Sequence, residues 1–160
     1  KSKAEVYIAN IGDSRAIFSE NGEATQLTYE HRATDEREAE RVQAGGSVIT
    51  RGRVRGVLAV TRAFGDFMFD KTTEVLPTPY ISKVTFTREE NGFNFIVVAS
   101  DGLWDVFSND EVARTVYLEF TKEERASVSE SKRLEDIAKV LVEAALQRGT
   151  TDNVSVIITK

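Results

Sequence analysis

Apolar and polar residues alternate at the start of the chain. Along "EVYIANIGDSRAIFSENGEATQLT", Val6 and Ile8, then Ala16 and Phe18, are each separated by one residue, the period-two pattern of half-buried strands. Turn residues interrupt it. "IGDSR" lies between the two strands and "ENGE" follows the second. Asn21-Gly22 is a strong hairpin signal, because both residue types accept positive φ. The period then changes. "ATDEREAERVQAGG" reads as a helix. Thr34 or Asp35 caps its start, Glu36 with Glu40 and Arg37 with Arg41 mark wet faces, and Gly45-Gly46 stops it.

A long irregular stretch follows, from Ser47 to Tyr80, holding both prolines. Only "GVLAVT" looks regular within it, and a loop this long in a compact domain is functional or mobile. "YISKVTFT" alternates like a strand, and "NFIVVAS" is a continuous apolar run, so a central strand. "SNDE", Ser108 to Glu111, is a capping box that opens a helix through Phe120. "TKEERASVSESKR" reads as a polar, mobile connection. A second helix over 134–147 places Leu134, Ile137, Ala138, Leu141, Val142 and Ala145 on one face. Gly149 is its stop, and "NVSVIITK" is a last strand. Strands dominate, with helices between them, which suits sheets inside and helices outside. No repeat or low-complexity segment is present.

Composition narrows this picture. The 160 residues are 41% hydrophobic and 29% charged, which suits one folded domain with a real core. The formal net charge of −5 argues against a nucleic-acid binder, which would show a basic face. The arginine-rich run "TRGRVRG" is short, but Arg53 or Arg55 in it could hold a phosphate on a peptide substrate; the alternative is solvated loop charge. There is no cysteine, so a disulfide framework, a zinc-thiolate site and a thiolate nucleophile are excluded. No apolar run reaches membrane-spanning length and "KSKAEVYIAN" is unlike a signal peptide, so an intracellular chain is expected.

The chemistry concentrates at strand ends. Asp101 directly follows an apolar strand in "FIVVASDGLWDV", and Asp152 precedes one in "GTTDNVSVII". Asp13 sits in "IGDSR" and Asp66 closes "TRAFGD". Carboxylates at the rim of buried strands are costly unless paired or bound to a cation. With only oxygen ligands on offer, Mg²⁺ or Mn²⁺ is favoured over zinc. Taken singly, each aspartate reads more readily as a turn or cap residue than as a cation ligand. Asp105 reads as a cap after Trp104, and Trp104 as core. No EF-hand pattern occurs.

The motifs "ANIGDSRAIF", "GGSV", "GVLAVTRAFGD", "VVASDGLWDVFSNDEV" and "ALQRGTTDNVSVIIT" occur in this order. Together they resemble the C-terminal part of the metal-dependent serine/threonine protein phosphatases of type 2C, across essentially the whole chain. The resemblance implies an α+β fold, a four-layer α/β/β/α sandwich with antiparallel sheets, of which residues 1–160 supply the C-terminal portion and 46–80 a flap beside the substrate groove. It implies a Mg²⁺ or Mn²⁺ centre with Asp101 and Asp152 as ligands. Asp13 and Asp105 resemble the pair that holds a weaker additional metal. The reaction implied is dephosphorylation of phosphoserine and phosphothreonine proteins by a metal-activated water, with no phosphoenzyme.

Family members carry further motifs upstream, an acidic pair and an Asp-Gly-His sequence, that are not in this chain. The family's general acid is therefore not here. His31, in "LTYEHRAT", resembles a different family histidine and reads as structural or exposed. Glu30 stands where the family usually has Asp, and Arg55 where it usually has Asn. Arg15 and Arg62, beside the acidic motifs, read as partners of carboxylates. The expectation is a phosphatase parent and an inactive isolated chain, a dimer or strand-exchanged oligomer through exposed sheet edges. The competing reading is a pseudophosphatase that keeps the fold as a binding module.

Overall fold

The computed structural model describes residues 2–69, 74–88, 93–122 and 128–160. The chain divides into two compact units: one comprises Lys1–Tyr7, Arg15–Leu27 and Lys83–Lys160, the other Ile8–Ser14 and Thr28–Ser82. In chain order the elements are β1 (Ser2–Asn10), β2 (Arg15–Glu20), β3 (Glu23–Gln26), α1 (Glu36–Ala44), β4 (Ile49–Thr50), β5 (Arg53–Val54), β6 (Tyr80–Arg88), β7 (Asn94–Ala99), α2 (Asp101–Trp104), α3 (Asn109–Phe120), α4 (Glu130–Gln147) and β8 (Val156–Thr159). The antiparallel α+β class implied by the resemblance is what these elements form.

The first unit is built on a sheet in the order β3-β2-β7-β8, with every pair antiparallel. β7 is central, and its apolar run alternates in burial: Phe95, Val97 and Ala99 are buried while Val98 is exposed. Ile17, Phe95, Val97 and Ala99 face Leu103, Trp104, Val112, Val116, Ile137 and Leu141 of α2, α3 and α4, all buried. On the opposite face Phe18 meets Phe86 of β6 at 4.9 Å, and β6 pairs with β1 in a second sheet. Asn21 and Gly22 turn β2 into β3 with φ of 52° and 93°, as the sequence indicated. The Ser108 capping box is complete, and Trp104 is core, its Nε1 donating to the Ala99 carbonyl at 3.0 Å. Helix α4 begins at Glu130, earlier than the sequence pattern suggested, because Ser129 accepts from the Lys132 amide and caps it. The reading of 121–133 as a mobile connection therefore fails from Ser129 onward, and its residues 123–127 lie outside those described.

The second unit packs α1 against the irregular stretch. Val42, Val54, Phe69 and Val75 form its apolar centre with Ala33. Asp35, not Thr34, caps α1 by accepting from the Arg37 and Glu38 amides. "GVLAVT" is not a strand. Its Leu58 and Val60 make single bridges to Val54 and Arg32, and the regular piece of the stretch is instead the β4–β5 hairpin. That hairpin turns through Arg51 and Gly52, both at positive φ. Arginine is not a turn signal, so the hairpin was hidden in the sequence.

Candidate metal site

In the first unit the strand-end aspartates are brought together by backbone. Asp101 opens α2 directly after β7, and Asp152 stands four residues before β8. Ser100 joins the two segments three times. Its hydroxyl donates to the Asn153 carbonyl at 3.0 Å and accepts from the Ser155 amide at 3.0 Å. Its own amide donates to the Ser155 carbonyl at 3.1 Å. Gly102 completes the join: a Cβ there would lie 2.4 Å from the Asn153 carbonyl oxygen, so only glycine lets the turns approach so closely. Asp152 accepts from the following Asn153 amide at 2.7 Å, which fixes one oxygen and orients the other. Asp105 lies one turn along α2, its amide on the Asp101 carbonyl at 2.8 Å, and it is the helix's C-cap residue.

Asp13 is in the second unit. It follows Gly12, whose φ is +87°, and faces the Arg32 guanidinium at 3.7 Å. Arg32 also meets Glu30 at 3.3 Å. A cleft of about 550 Å³ beside this turn is lined by Asn10, Gly12, Asp13, Arg62, Phe64 and Pro79 among others. Asp66 is an exposed turn residue at φ 56°, its carbonyl accepting from the Phe69 amide.

The carboxylates on the joined turns fit a hard divalent cation in donor chemistry and in the glycine cradle that sets their spacing. Among the described residues no three His, Cys, Asp or Glu side chains converge to hold a metal ion.

Sequence reasoning missed a polar core in the second unit. Glu38, on the face of α1 read only as helix, is 3% exposed. It receives Arg62 at 2.6 and 3.2 Å, the Thr61 hydroxyl at 2.6 Å and Arg41 at 3.0 Å. Burial raises its pKa, but the hydrogen bonds from Arg62, Thr61 and Arg41 outweigh that and bring it to about 2. Arg62 is thus a partner of a carboxylate, as its place beside the acidic motif suggested. Arg15 donates to Asn109 at 2.7 Å and lies over Trp104. Arg55 grips the buried Glu74 through Nε and Nη2 at 2.9 and 2.7 Å, while Arg53 is exposed and donates to the Val57 carbonyl. His31 is fully buried, which settles its placement in favour of structure over exposure.

Comparison with known proteins identifies the family. The chain matches the family model described as Protein phosphatase 2C over residues 1–154. It is 41% identical over 154 residues to Protein phosphatase 2C homolog 1 of Saccharomyces cerevisiae, covering 96% of this chain and 49% of that protein. It is 37% identical over 165 residues to human Protein phosphatase 1B, covering 98% of this chain and 32% of that one. A crystal structure of a phosphatase from Toxoplasma gondii superposes with a TM-score of 0.81 at 26% identity, over 98% of this chain and 48% of that chain. The chain belongs to the protein phosphatase 2C family. It spans half or less of the length of these relatives.

Proposed function

We propose that this chain is part of a Mg²⁺- or Mn²⁺-dependent phosphatase acting on phosphoserine and phosphothreonine proteins in the cytoplasm or nucleus. The observation that carries the reading is the Ser100–Asn153–Ser155 join, which sets Asp101 and Asp152 on adjoining turns in a chain of this family. Asp101 and Asp152 would hold the cation; Asp105 in the first unit, and Asp13 in the second, would each be a ligand for weaker cation binding. When bound, the cation supplies a deprotonated water and neutralises phosphoryl charge. The chain's own residues orient the carboxylates, and the 46–80 region borders the substrate as a flap. Arg53 is an exposed cation there for a phosphopeptide, while Arg55, paired with Glu74, shapes the loop. No nucleic-acid or membrane partner enters this reading; no helix among the described residues is long and apolar enough to cross a membrane.

The test is Mn²⁺-dependent hydrolysis of a phosphothreonine peptide by the longer parent and by the 160-residue chain, each with an Asp101→Ala control. Turnover by the parent, abolished by the substitution, is expected, with little or none from the chain alone. Phosphoprotein binding without turnover in the parent would favour the pseudophosphatase reading instead.

A further inference from the structure

We propose that His31 is a positioning residue: its imidazole, as the Nδ1–H tautomer, clamps the Gly12 carbonyl and fixes the turn that presents Asp13. The functional side of this rests on the cation role proposed for Asp13. The Gly12 carbonyl receives two bonds from one residue, from the His31 amide at 2.9 Å and from Nδ1 at 3.2 Å. A carbonyl only accepts, so Nδ1 must carry the proton and Nε2 is left as a bare acceptor. That Nε2 is buried and has no hydrogen-bond partner. An orphaned buried acceptor costs about 1–3 kcal/mol, and a phenyl ring would fill the same space without that cost. What imidazole adds here is the Nδ1 donor.

The clamp is itself held. The His31 carbonyl accepts from the Thr61 amide at 2.8 Å and from its hydroxyl at 3.2 Å. The Tyr29 ring stands edge-on at 5.4 Å. Neighbours on both sides grip the same turn: Asn10 Nδ2 donates to the Tyr29 carbonyl at 2.7 Å, and Arg32 faces the Asp13 carboxylate. Residues 29–32 therefore hold residues 10–13 at three points. Gly12 is the point where the chain adopts positive φ and has the most freedom to pivot. Fixing its carbonyl fixes the direction in which Asp13 leaves the turn.

His31 is the only histidine in the chain, so its ring signals are unambiguous by nitrogen NMR. The expected result at pH 7 is the neutral ring protonated on Nδ1; a proton on Nε2 overturns the proposal without any variant being made. The paired variants are His31→Phe, which keeps the ring and loses the donor, and His31→Asn, whose amide N–H approximates Nδ1–H. Amide exchange at Gly12, Asp13 and Ser14 should quicken in the Phe variant and return toward wild type in the Asn variant. Titration with MnCl₂ should show affinity weakened roughly tenfold by Phe and largely restored by Asn, the size seen when a residue orienting a ligand is lost. Unchanged exchange in the Phe variant sinks the clamp. If Asp13→Ala leaves Mn²⁺ affinity unchanged while tautomer and exchange behave as expected, the cation role of Asp13 fails and the clamp stands.

Discussion

Gly102 shows how one missing methyl group shapes a site. Its neighbour at 2.4 Å is backbone, the Asn153 carbonyl, and cannot swing aside as a flexible side chain would. Gly102→Ala must push the Asp101 turn from the Asp152 turn. Expected outcomes are Mn²⁺ affinity at least tenfold weaker by calorimetry and a lower thermal midpoint; wild-type affinity would show that the join does not set the ligand spacing. His31 makes a second residue-level prediction. Burial, then the Arg62 charge, lowers its pKa, with Arg41 acting the same way and Glu38 against. The unfolded chain takes up a proton near 6.5 that the folded chain refuses. Stability from this residue is complete above that pH and declines as pH falls below it. Thermal melts from pH 7.5 to 5 should lose stability faster in wild type than in His31→Asn, and parallel slopes would contradict this. That His31 is buried could not be read from "YEHRAT", because its partners lie at Gly12 and Thr61.

At the scale of elements, legibility followed sequence distance. Caps and turns made of neighbouring residues were readable: Asp35, the Ser108–Glu111 box, Asn21-Gly22. The sequence marks wet faces on helix α1 at Glu36 with Glu40 and Arg37 with Arg41, yet the helix carries a buried carboxylate, Glu38. Nothing local distinguishes Glu38 from Glu36 or Glu40; what buries it is Arg62 and Thr61, more than twenty residues away. Glu38 makes α1 a fixed wall for the 61–62 and 74–78 segments, since Arg41 also donates to the Thr61 and Glu74 carbonyls and Arg62 to that of Thr78. Removing one partner of a fully buried pair costs about 3–5 kcal/mol. Partial exposure of both arginines reduces the expectation for Glu38→Gln to about 2–3 kcal/mol in urea unfolding. A change below about 0.5 kcal/mol, that of an ordinary surface site, would show the network contributes little. Its folded pKa is depressed, so its contribution is present above about 4.5 and disappears as pH falls toward 2.

For the whole molecule, the order of motifs carried the family, while composition and period carried only the class. Asp101 and Asp152 stand out in the sequence because they flank apolar strands, a position with a sequence signature. Their partners were not found, because hydrogen bonds such as Ser100 to Ser155 have none. The sheets end in open edges among the described residues: β8 has one strand neighbour, and β1 and β6 have only each other. Ile157, Tyr7 and Ile81 on these strands are largely exposed. Unpaired, apolar edges recruit further strands, so light scattering should find the 160-residue chain as a dimer or larger; a monomer at tens of micromolar would count against it.

The Ser100–Ser155 join spans 55 residues of sequence, and this separation sets a clock. A ribosome adding about 5–20 residues per second needs roughly 3–11 s between exposing one end and exposing the other. Through that interval the most apolar strand, Phe95 to Ala99, has one edge without its eventual neighbour β8. Asp101, just past its tip, waits as long for the Asn153–Ser155 segment that Ser100 holds. A strand left with an open edge for that long is exposed to pairing with another chain while the protein is being made.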